Sequence, residues 1–100
     1  MFAYNYIYEH PNGIGSIPDF AEEEYLYMTE LVWFVDIHCE YRTINPTETG
    51  MMFKSVWKTK EERDKVHSLF PRGIEIMHSR GKATIEAGGS YRFEIEEILE

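Results

Sequence analysis

Every second residue from Phe2 to Tyr8 carries an aromatic ring, and this regularity limits the folds open to the chain. Side chains alternate between the two faces of a strand, so Phe2, Tyr4, Tyr6 and Tyr8 share one face. A face of four rings predicts a sheet that is covered, either by a helix of the same domain or by another molecule. Buried Tyr also needs a partner for its hydroxyl. The stripe therefore equally suits a half-wet protein interface or a pocket that stacks a base or sugar.

The rest of the chain continues in the same manner. His10 to Ser16 is rich in turn residues. Residues 18–30 fit two patterns. Asp19 with Glu22 resembles a capping box, and Phe20, Tyr27, Met28 and Leu31 share a helical face. The odd positions from Tyr25 to Tyr41 also alternate as one long strand, and from Leu31 onward the strand is the stronger reading. Asn45 to Gly50 reads as a loop and Met51 to Lys58 as a returning strand. Thr59 opens a capped helix predicted over Lys60 to Phe70, with Val66, Leu69 and Phe70 facing the core, and Pro71 and Gly73 end it. Beyond it the pattern predicts a strand with Ile74 and Ile76 inward, a turn at Ser79-Arg80-Gly81-Lys82, a short strand over Ala83 to Ala87, a turn at Gly88-Gly89, and a last strand through Tyr91, Phe93 and Ile95.

These elements predict a single α+β domain over residues 1–100, an antiparallel sheet with one or two helices on one face. If residues 18–30 are helical, the order is ferredoxin-like with an added C-terminal hairpin. The apolar share of 43% is that of an ordinary globular protein. Fifteen rings among 100 residues exceed what a small core hides, so some are expected at a groove, pocket or subunit interface, and a homodimer fits. The lone Cys39 forms no internal disulfide. Residues 1–15 have no basic flank and no long apolar run, and no stretch reaches the ~18 apolar residues of a membrane span. The expected setting is a reducing cytoplasm, away from membranes.

Charge is strongly polarised. Residues 1–50 hold nine acids and one base, Arg42, whereas residues 51–100 hold nine of each, so the formal net charge of -8 belongs to the first half. A surface of one sign steers partners of the other. Asp19, Glu22, Glu23, Glu24 and Glu30, with Tyr25 and Tyr27 among them, form the candidate partner-binding set. Their carboxylates suit a basic surface of another macromolecule, such as the groove of a nucleic-acid-binding protein, because DNA itself presents one negative charge per ~1.7 Å of axis. The plain alternative is a solvated acidic face kept for solubility. Net negative charge disfavours direct nucleic-acid binding.

The basic stretch from Lys54 to Lys82 carries eight bases against four acids. It reads as a partner for the acidic half or as an anion surface. The alternative ligand set is Trp57, His78, Arg80, Lys82 and Tyr91, expected to hold a nucleotide or other anion between subunits. Cys39 reads as a small core residue, and His38 with Glu40 is too sparse for a metal site. His38 and Cys39 are neighbours, but on a strand they would point to opposite faces, and nothing else local provides a nucleophile or acid/base pair. The chain therefore reads as a binding protein without a cofactor rather than an enzyme. Short, acidic, single-domain and poor in motifs, it is similar in style to the inhibitors that phages make against host enzymes and defence systems. That likeness is one of composition, and no family motif stands behind it.

Overall fold

The computed structural model describes residues 1–99. Strands β1 (Phe2–Glu9), β2 (Tyr41–Pro46), β3 (Gly50–Trp57) and β4 (Ser90–Glu97) alternate with helices α1 (Tyr25–His38), α2 (Lys60–Leu69) and α3 (Pro71–Glu86). The four strands form one antiparallel sheet in the order β2-β3-β1-β4. With α2 and α3 as one crossover, this is the ferredoxin-like order of two split β-α-β units.

The aromatic stripe is the covered face. Tyr4, Tyr6 and Tyr8 pack with Trp57 of β3 beneath Met28, Leu31 and Val35 of α1, Val66 of α2, and Ile74, Ile76 and Met77 of α3. Tyr6 lies opposite Phe53 on one side and Phe93 on the other. All three helices therefore lie on one side of the sheet, in a slab with Cα extents of 35 × 33 × 16 Å.

Several expectations are corrected. Residues 31–38 are helical, not extended. Alternation and helical spacing coincide there because the segment is apolar on nearly every side. Burying Met28, Leu31 and Val35 against the sheet selects the helix, while Leu26, Trp33 and Ile37 are left at 66%, 68% and 56% exposure. The second strand comes later, at Tyr41–Pro46, where the sequence pattern predicts a strand end and a loop. The expected strands and turn between residues 74 and 87 are replaced by one helix that runs to Glu86, so among the described residues there is no added hairpin and the α-helices number three. Gly81 marks a close approach rather than a turn, since a Cβ there would overlap the Tyr91 ring. The turn lies at Gly88, whose φ is +96°.

Local chemistry sets the element ends. The Glu24 carboxylate accepts the Ala21 N–H at 2.7 Å, so Glu24, rather than Glu22, closes the turn before α1. The Thr59 hydroxyl accepts the Glu62 N–H at 3.2 Å and starts α2 as expected. Leu69 is exposed, and Arg63 takes the inward position three residues before Val66. Phe70 breaks the helix, and Pro71 begins α3 at a position where its missing N–H is harmless.

A candidate ligand site beneath the first helix

Helix α1 does not lie flush on the sheet. Between it and the β2–β3 half is a cavity of about 560 Å³. Its floor is Tyr6, Phe53, Ser55 and Trp57, and its roof includes Met28, Leu31, Val32 and Val35, closed at the sides by Val66, Ile74 and Met77. The exposed members of the wall are Tyr25, Thr29, Trp33 and Asp36 on α1 and Ile44 on β2, so the chamber opens between the helix and the edge strand. Pockets of ~300–1,000 Å³ with apolar walls and few polar groups are those that hold small molecules.

Two cationic side chains, Arg42 and Arg63, line this chamber, and Lys54 of the floor strand β3 points to the opposite face of the sheet. Arg42 makes a bidentate pair with Asp36, Nε–Oδ1 at 2.6 Å and Nη2–Oδ2 at 3.1 Å, which ties α1 to β2 beside the opening. The guanidinium bond holds the Asp36 carboxyl below its ordinary pKa. Lys54 pairs with Glu96 at 3.6 Å. Arg63 has no carboxylate partner among the described residues, although it is only 4% exposed. Its Nη2 donates to the Tyr6 hydroxyl at 2.8 Å, and its guanidinium lies 4.4 Å from the Tyr4 ring centre and 5.6 Å from that of Phe93. Aromatic faces offset part of the cost of burying the cation. Burial raises the Tyr6 pKa against the opposing pull of Arg63. Burial, and then the Arg63 charge, lowers that of His78.

The acidic candidates lie together around the start of α1. Asp19 accepts the Phe20 N–H at 2.8 Å and the Tyr25 hydroxyl at 2.9 Å, and these bonds depress its pKa. Glu22, Glu23 and Glu30 are exposed and enter no ion pair among the described residues. Tyr27 lies 5.8 Å beneath the Arg72 guanidinium. Bases from the second half thus reach the edge of this surface.

The alternative ligand set is dispersed. Trp57 is buried in the cavity floor, with its indole N–H on the Ser55 hydroxyl at 2.9 Å. Arg80 is a strap: its Nε donates to the Pro18 carbonyl at 2.8 Å, and its guanidinium stacks over Phe20 and Tyr8. Lys82 is exposed on α3. Only His78 and Tyr91 meet, Nδ1 to hydroxyl at 2.6 Å. Cys39 is half-buried against the core, and burial raises its thiol pKa. Among the described residues no three His, Cys, Asp or Glu side chains are placed to hold a metal ion, and no helix is long and apolar enough to cross a membrane.

Arg63 and the Asp36–Arg42 pair are absent from the candidates that the sequence singles out. Arg63 carries one signal there, its place one turn before the buried Val66 on the inward face of α2. No protein-family model matches the chain, and no curated protein or solved structure matches it either.

Proposed function

We propose that this protein is a small-molecule binding protein whose ligand occupies the chamber between α1 and the sheet. The observation that carries the reading is an apolar space of about 560 Å³ with an opening to solvent, in a chain of only 100 residues. Protein interiors otherwise pack to ~0.75 density with few voids larger than water. The site lies within one chain, so a partner subunit is not needed to complete it.

The test is isothermal titration with 1-octanol on the wild type and on Val32→Trp, whose indole would fill the roof of the chamber. Saturable 1:1 binding by the wild type, lost in a folded Val32→Trp, supports the reading. Equal binding by both variants would place the ligand elsewhere.

A second reading rests on the exposed, unpaired Glu22, Glu23 and Glu30: the acidic end of α1 engages a basic surface of another macromolecule, in the manner of a nucleic-acid decoy. Its electrostatic association would weaken steeply with salt. A Glu22→Gln, Glu23→Gln, Glu24→Gln triple variant should keep the fold, because the amide oxygen that replaces the Glu24 carboxylate still accepts the Ala21 N–H. It should flatten the salt dependence of partner capture. Unchanged capture at every salt concentration would end this reading.

A further inference from the structure

We propose that the ligand of this chamber is an amphipathic monocarboxylate, its apolar body under α1 and its carboxylate on Arg63. The inference rests on the small-molecule reading and adds the chemistry of the head group. Of the two cationic side chains in the wall, Arg42 is paired with Asp36, and Arg63 has no carboxylate partner among the described residues. A buried cation without a counter-charge is costly, because the protein interior solvates it poorly. The Arg63 fork has five N–H donors, and the Tyr6 hydroxyl takes one bond. The guanidinium lies over the Tyr4 and Phe93 rings, and no carboxylate among the described residues takes its remaining donors. A carboxylate fits the planar fork in two parallel bonds and supplies the missing charge.

The apolar lining sets the other end of the ligand. Phe53, Met28, Leu31, Val35 and Met77 are apolar, and the Trp57 indole N–H is taken by Ser55. The inner wall thus has few groups for a sugar or a polyphosphate, while Tyr25, Thr29 and Asp36 are at the exposed rim. Nucleotides therefore suit this chamber poorly, and a short fatty acid or an aryl-alkanoic acid suits it well. The mouth already holds a neutralised pair, Asp36 with Arg42, so the single uncompensated charge lies inside.

The experiment is isothermal titration with octanoate and with 1-octanol, which share a chain and differ in charge. The wild type should bind octanoate at least about tenfold more tightly, a difference of about 1.4 kcal/mol. Arg63→Met, which keeps length and removes charge, should bind both alike and retain octanol affinity. If the wild type binds neither, the small-molecule reading fails and takes this inference with it. If it binds both equally, the small-molecule reading stands and the carboxylate assignment is overturned. A preference that survives Arg63→Met but is lost in Arg42→Met would place the head at the mouth and also overturn it. Should Arg63→Met not fold, ¹³C-carboxyl octanoate on the wild type decides the matter. A carboxyl pKa lower when bound than in water puts the head beside the cation, and a raised one puts it in the apolar wall.

Discussion

Helices α1 and α3 cover the same aromatic sheet face, yet α3 lies flush on it and α1 stands away. Along α3, Gly81 lets the helix settle onto Tyr91, and Gly73 leaves room for Leu31 of α1, which a Cβ there would crowd. Polar ties fix its position: the Tyr8 hydroxyl donates to the Met77 carbonyl at 2.7 Å, His10 Nε2 meets the Ala87 carbonyl at 2.8 Å, and Arg80 bonds Pro18. Asn12 N–H donates to His10 Nδ1, so the proton of the neutral ring is on Nε2. Along α1, by contrast, the sole side-chain bond to the sheet among the described residues is Asp36 with Arg42. Its surface has no glycine and carries large side chains on all sides. Small residues on one face fix how deep a helix sits, whereas bulk on every face leaves the depth to whatever fills the gap.

Core truncation tests this contrast most severely. Ile76 is 1% exposed under α3, and Ile76→Ala should cost about 2–5 kcal/mol in chemical denaturation. Val32→Ala, at a half-buried position in the roof of the chamber, should cost about 1 kcal/mol or less. Equal losses would mean that the two halves are packed alike. A smaller effect is expected at Gly81→Ala. Overpacking against Tyr91 costs about 1–3 kcal/mol, and better helix propensity returns up to ~1 kcal/mol of it. Thermal unfolding should show a lower Tm, and an unchanged Tm would remove the close approach from the account.

The smallest effect is at the tie beside the opening. Asp36 has a depressed pKa when folded, so its contribution is present at neutral pH and is lost as the pH falls below about 4. The pair is part-exposed and screened by solvent, so the stake is only about 0.2–1 kcal/mol. Wild type should exceed Asp36→Asn in Tm at pH 7, and the gap should narrow steadily as the pH falls below about 4. A gap of unchanged size from pH 7 down to pH 2 would mean that the bond between Asp36 and Arg42 is not its source.

The same contrast explains what the sequence disclosed. β1, β3, β4 and α2 were legible because one simple rule governs each: alternation in the strands, a Thr59 cap and a Pro71 stop in the helix. α1 was misread because Leu31 to His38 satisfies both periodicities, and only the sheet beneath it decides between them. α3 was misread for the opposite reason. Ser79-Arg80-Gly81-Lys82 has the composition of a turn, but its glycine answers to Tyr91, ten residues away. The chamber was not legible at all, because a void is a property of two surfaces that fail to meet. Of the site, Trp57 and Tyr25 were singled out for other reasons, while Arg63 was hidden among eight bases that read as a partner for the acidic half or as an anion surface.

β1 pairs with β3 through Tyr4 opposite Ser55 and with β4 through Tyr4 opposite Ile95. The strand made first of the four is thus a central strand of the sheet, completed only by segments synthesised well after it. At ~5–20 residues per second, the aromatic stripe waits several seconds for both neighbours. Pairings so distant along the chain also slow folding, because the loop must close before any contact rewards it. During that interval Phe2, Tyr4, Tyr6 and Tyr8 lack the cover they have in the folded protein, so the nascent chain is more exposed to aggregation than the finished one.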